Sequence, residues 1–312
     1  MNSRTVRRVG FSIAAATALT AVAACGSSGS DGSSGDDKTA HKAATRVSPI
    51  AALRTAERST DKADSAKVES TTVLGSLMSM TADGNLGWGD GIRGTLTIDY
   101  TGGTMADTMA RTGSTSMEAR YLSDAYYAKM GDKFAEQAGG KHWIRYAYDD
   151  LAGLGGSSGA YLKDQMQNTT PNQSVKLLLA SGDVKRVGQE TVRGQRTTHY
   201  SGNVDVADLA TRSSSLSASQ LAALRKQLTQ AGVTTETVDI WVNGQDLLVK
   251  KVEKADMSAG RMTQTAYYSD YGVQVSAQKP PASDTEDFKQ LLKAQGLTPD
   301  SGDGATGSGT SS

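Results

Sequence analysis

The chain has 312 residues, 33 basic and 33 acidic, and a formal net charge of zero. Three of the bases (Arg4, Arg7 and Arg8) and none of the acids lie in the first 24 residues, so the remainder carries 30 bases against 33 acids. That balance argues against a nucleic-acid partner, whose binding needs a basic footprint, and a single cysteine, Cys25, excludes a disulfide framework.

The three arginines precede an apolar run, Phe11 to Ala24, that is too short to cross the ~30 Å core of a bilayer and reads as an export signal. The run ends in Val22-Ala23-Ala24 directly before Cys25. This resembles the lipobox of bacterial lipoproteins, in which the thiol takes a diacylglyceryl group and becomes the new N-terminus. The resemblance implies that residues 1–24 are a lipoprotein signal peptide and that Cys25 is a lipid anchor. The protein is then extracytoplasmic, held on the outer face of the cell membrane, where two acyl chains anchor durably and one would not. No later apolar run reaches spanning length, so the membrane is met through Cys25 alone. Residues 25–46 are rich in Gly, Ser and Asp and read as a flexible, lipidated tether; His41 inside it reads as solvated.

Folded structure is expected over residues 47–295, long enough for one β-rich domain. Ser48-Pro49 predicts a helix start, with Ile50, Leu53 and Ala56 at helical spacing up to about Ala63. From Met78 to Trp88 the apolar side chains Met78, Met80, Leu86 and Trp88 share one parity, and Leu96, Ile98 and Tyr100 repeat the pattern. A sheet with one dry and one wet face points to antiparallel pairing. Further strands are expected at Met117 to Leu122, Ala125 to Met130 and Lys141 to Tyr146, forming a meander. Helices are expected at Ala160 to Gln167 and from Pro171 to Ala180, then a hairpin of Asp183 to Glu190 and Arg193 to Val204. Asp205 to Ala231 reads as helical, with Leu209, Leu216, Leu221, Leu224 and Leu228 spaced along it and Gly232 as its stop. Strands at Thr235 to Asn243, Asp246 to Glu253 and Met262 to Tyr271 follow, the first two joined at the turn signal Asn243-Gly244. A short helix is expected over Thr285 to Ala294, and the Gly-, Ser- and Thr-rich residues 296–312 read as a disordered tail.

The order of these elements, with Val187-Gly188-Gln-Glu190-Thr-Val192-Arg-Gly194, Thr198-His199-Tyr200-Ser-Gly202 and Val238-Asp-Ile240-Trp241-Val242, resembles the LppX/LprG-type lipoproteins of actinobacteria. These are similar in turn to the lipoprotein carriers LolA and LolB and to the periplasmic regulator RseB. The resemblance implies an α+β fold in which a strongly curved, unclosed antiparallel sheet, a half-barrel, wraps around a few helices. It further implies an apolar cavity that binds or carries lipid, a lipidated ligand or acyl chains, without catalysis and without a cofactor or metal. Met78, Met80, Leu86, Trp88, Leu96, Ile98, Tyr100, Val238, Ile240 and Val242 are then the expected cavity lining. A second reading stays open, an RseB-like sensor or interaction module that docks onto a membrane protein.

Chemistry-bearing motifs are few. His142 and His199 each fall in an expected strand with no partner at metal-ligand spacing and read as structural hydrogen-bonding residues. Gly155-Gly-Ser157-Ser-Gly159 fits G-x-S-x-G but sits in a glycine-rich loop instead of a strand-to-helix elbow. Ser59-Thr-Asp-Lys62 fits S-x-x-K without the companion motifs. Asp149-Asp150 read as turn or helix-start residues, and Asn168-Thr-Thr170 matters only in a glycosylating cell. Whether residues 153–159 form a lid is left open by the sequence.

Overall fold

In the computed structural model, which describes residues 48–153, 170–210, 218–230 and 232–294, the body opens with helix α1, Pro49–Lys62. Ser48 caps it, its hydroxyl accepting from the Ala51 N–H at 3.2 Å, and Pro49 occupies the first turn, where the missing N–H costs nothing. Leu53, Ala56 and Thr60 form its buried face. The expected signal segment, Cys25, the tether with His41, the helix at Ala160 to Gln167, the loop residues 154–159, Leu216 and the tail all lie outside the described residues.

The sheet has twelve strands in the order β12-β6-β5-β4-β3-β2-β1-β11-β10-β9-β8-β7. They are β1 (Ser65–Leu74), β2 (Met78–Gly87), β3 (Arg93–Gly102), β4 (Ser116–Tyr121), β5 (Ala125–Lys129), β6 (Trp143–Ala147), β7 (Lys185–Val192), β8 (Gln195–Asp205), β9 (Thr235–Asn243), β10 (Leu248–Met257), β11 (Gly260–Ser269) and β12 (Thr285–Asp287). Strands β1 to β6 form one meander and β7 to β11 another, sewn together where β1 pairs antiparallel with β11. The two outer strands, β12 and β7, do not meet, so the sheet curves without closing. Gly84 of β2 and Gly94 of β3 each lie close against the neighbouring strand. A Cβ on Gly84 would lie 2.1 Å from the Thr95 carbonyl oxygen, and one on Gly94 would lie 2.0 Å from that of Asn85. Only glycine permits so close an approach of β2 and β3.

Several elements differ from expectation. Strand β1 is not among the expected strands, because its inward positions Ala66, Val68, Ser70, Thr72 and Leu74 are partly polar and hide the alternation. Helices α2 (Gly103–Arg111) and α3 (Asp132–Gln137) fill links that read as connections. Asp205 ends β8 by pairing with Thr235, a short 3-10 turn covers Asp208–Ala210, residues 211–217 lie outside the described residues, and helix α6 spans Ala218–Gln230. The start of the last expected helix is instead strand β12, which runs parallel to β6 and so departs from the antiparallel rule. Side chains of β6 and the turn before it hold it there: Arg145 pairs with Asp287 at 3.0 Å, Lys141 pairs with Glu286, and His142 hydrogen-bonds Asp284, just before the strand, at 2.8 Å. Helix α7, Phe288–Ala294, then follows.

Helix α4 (Tyr148–Gly153) and helix α5 (Pro171–Ser181) pack on the concave side. Nine of the eleven α5 residues are buried, where the helix packs against α1 and strands β8, β9 and β10. Val175 and Leu178 are wholly buried there against a core that includes Leu53, Val238, Ile240 and Leu248. Burying such side chains stabilises the fold by about 1.5–3 kcal/mol each.

Candidate functional site

Alternation along β10 and β9 decides what faces the helices. On β10 the inward parity carries Lys251, Glu253, Ala255 and Met257; on β9 it carries Glu236, Val238, Ile240 and Val242. Met262 and Gln264 of β11, Thr72 and Leu74 of β1 and Met78 of β2 continue the same face. Above them lie Ser174 and Leu177 of α5 and Leu224 and Leu228 of α6 (Ala218–Gln230).

These residues, with Gln173, Thr170 and Val233, line a partly open cavity of about 320 Å³. That is near the lower end of ligand pockets, which run from about 300 to 1,000 Å³, and is room for one slender molecule. The walls from β1, β2, β11, α5 and α6 set Leu74, Met78, Met262, Leu177, Leu224 and Leu228 beside the polar Thr72, Gln264, Gln173 and Ser174, and Met257 of β10 adds a third methionine whose flexible thioether adapts to irregular partners. The floor differs.

Lys251, Glu253 and Glu236 are all buried in that floor. The Lys251 ammonium donates to Ser174 Oγ at 2.8 Å and to Glu253 Oε2 at 3.0 Å. Burial acts against its charge, yet the Glu253 carboxylate, Tyr268 and Glu236 together hold Lys251 above its usual value. Glu236 has no such partner. Its cross-strand neighbours are Val204 on β8 and Ala255 on β10, and no described residue hydrogen-bonds its carboxyl. Burial first, then the Glu253 charge, push its pKa up to about 8, with Lys251 offsetting part of the rise.

Of the residues expected to line a cavity, Met78 lies on the wall of the one described above. Met80 and Tyr100 are half-buried and pack against the core. Leu86, Trp88, Leu96, Ile98, Val238, Ile240 and Val242 are buried core side chains on the same concave face. Trp88 donates its ring N–H to the Asp61 carbonyl at 3.3 Å and meets Tyr271 edge-on, and Trp143 lies on the convex face beneath Arg120. Neither tryptophan fills the cavity. The sequence reading missed Ser174, Glu236, Lys251 and Glu253. The available signal was that Lys251 and Glu253 share parity with Ala255 and Met257.

The two histidines are accounted for on the convex surface and at the rim of β6. His199 lies flat on Trp241, 4.1 Å between ring centroids, with its two nitrogens 3.0 Å from Glu190 and 2.8 Å from Asp239. His142 binds Asp284. Among the described residues no group of three His, Cys, Asp or Glu side chains is placed to hold a metal ion, and no helix is long and apolar enough to cross a membrane. Asp150, in the first turn of α4, takes the Lys289 ammonium at 2.7 Å.

No family model matches the chain. It is 59% identical over 256 residues to an uncharacterised 31.2 kDa protein of Streptomyces griseus encoded between rplA and rplJ, covering 82% of this chain and 84% of that one. It is 58% identical over 245 residues to a Streptomyces coelicolor protein that carries the name of a lipoprotein, covering 78% and 77% of the two chains. Among solved structures, the lipoprotein LppX of Mycobacterium tuberculosis covers 74% of this chain and is itself 98% covered, at 14% identity and a TM-score of 0.45. That likeness is too distant to bear on function.

Proposed function

The chain belongs to the family of these two Streptomyces proteins, and from that premise we propose that it is an envelope lipoprotein that holds an acyl chain between its sheet and its helices. The lipoprotein name of the S. coelicolor relative supports the anchor, as does Val22-Ala23-Ala24 before Cys25. Cys25 would carry the diacylglyceryl group and place the body on the outer face of the cell membrane. The reading assigns no catalytic residue and no cofactor.

The observation that carries the acyl-binding reading is the 320 Å³ cavity to which five elements bring Leu74, Met78, Met262, Leu177, Leu224 and Leu228. At about 0.8 kcal/mol per buried methylene, a chain of roughly ten methylenes gains about 8 kcal/mol before the costs of association, enough for useful affinity without headgroup recognition. The volume fits one such chain better than a lipid with several.

The test is to purify the protein from its own host, extract it with organic solvent and weigh the extract by mass spectrometry. One acyl-containing molecule per protein is expected. Repeated extracts without lipid, alongside a stoichiometric membrane protein in the purified sample, would replace the carrier with a docking module.

A further inference from the structure

We propose that the cavity selects an uncharged acyl ester over a free fatty-acid anion, and that Glu236 is the side chain that recognises the ester carbonyl. This rests on the acyl-binding reading of the same cavity. Glu236 is 5% exposed, and its place in the sheet gives it no counter-ion of its own, with Val204 on one side and Ala255 on the other. A carboxyl so placed keeps its proton, because an isolated buried carboxylate is far more costly than the neutral acid.

The groups that face it are Lys251 and Glu253 on β10 and, beyond them, Tyr268 on β11; Ser174 and Gln173 on α5, Thr72 on β1 and Gln264 on β11 add only uncharged dipoles. Lys251 is already committed to Glu253 and Ser174. The floor therefore presents a balanced ion pair and one neutral acid whose O–H has no partner among the described residues. Such a floor offers a donor to a carbonyl oxygen. It offers no unbalanced positive charge to a carboxylate, which would be desolvated beside Glu253. The raised proton affinity of Glu236 agrees with this state at neutral pH.

The test uses residues 25–312, which contain every described element, made without the lipid, and displacement of 1-aminoanthracene by monolauroylglycerol or by laurate. At pH 7 the ester should displace the dye about tenfold more effectively than laurate, the worth of one neutral hydrogen bond. Raising the pH to 9.5 should erase most of that advantage as Glu236 ionises. Glu236→Gln, whose amide still donates, should keep the ester preference and lose its pH dependence. Glu236→Leu should keep chain binding and lose the preference. Equal displacement by ester and acid, or a preference that survives Glu236→Leu, would overturn the assignment and leave acyl binding standing. Failure of both ligands to displace the dye would overturn both.

Discussion

Lys251 and Glu253 lie two residues apart on the inward face of β10, bonded to each other at 3.0 Å, while Val252 between them faces the convex side with Val249 and Trp241. The strand thus turns a charged pair toward the helices and part of its apolar content toward the outside. An ion pair taken out of water gains little net stability, because desolvation cancels most of the attraction. Its position on a cavity floor, beside the Glu236 carboxyl, is consistent with a role in shaping what that cavity accepts.

Breaking the pair from one side should be expensive. Lys251→Met leaves Glu253 buried without its cation and is expected to cost about 3–5 kcal/mol in urea denaturation. The double change Lys251→Met with Glu253→Leu should recover most of that loss. A double variant as unstable as the single one would show that Lys251 acts through contacts other than Glu253.

Burial, and then the Glu253 charge beside it, push the Glu236 carboxyl from an ordinary value of 4.5 up to about 8 in the folded chain. Between those values the folded chain holds a proton that the unfolded chain has released. Its stabilising share is complete below pH 4.5, falls as pH rises, and is gone above pH 8. Wild type should therefore lose stability relative to Glu236→Gln as pH rises across that window, by on the order of 1 kcal/mol per pH unit at the steepest part. Melts of both proteins at matched pH values check this, and parallel curves would contradict it.

Filling and hollowing should separate ligand from fold. Met262→Trp, on the cavity wall, is expected to lower lipid recovery tenfold or more while the melting temperature holds. Leu178→Ala removes a wholly buried side chain of α5 that does not line the cavity, and should cost about 2–5 kcal/mol while the folded fraction still binds.

Gly84→Ala sets a methyl 2.1 Å from the Thr95 carbonyl and should prevent β2 and β3 from pairing, giving insoluble protein. Gly244→Ala, with nothing within 4 Å, should change stability by less than about 1 kcal/mol. Solubility and urea midpoints of the two variants provide the comparison.

Cys25→Ser should release the protein from the membrane fraction without changing its fold, because every described element lies beyond residue 47. Fractionation of cells, with circular dichroism of the released chain, reads both outcomes.

Local pattern was enough for much of the fold. Ser48-Pro49 announced α1, strict alternation gave β2, β3 and β9, and Asn243-Gly244 marked a hairpin, because each is set by side chains within a few residues. Where neighbours distant in the chain decide, local pattern misled. Strand β12 is held in place because Lys141 and Arg145 pair with its acids Glu286 and Asp287 and His142 bonds Asp284 just before it, and β1 is held in place because β2 and β11 flank it on both sides.

The same division holds for the site. The sequence by itself determined the dry parity of β2 and β3, and Met78 on it reached the cavity. It did not separate that residue from Leu86 or Ile98, which share the parity and are packed core, because alternation reports a face and not what stands above it. Only the tertiary structure decided that α5 and α6 leave a gap over β10 and β11, and that a charged pair and an acid without a counter-ion line its floor. Which side chains lose their water depends on elements brought together from opposite ends of the chain, and no short window of sequence carries that information.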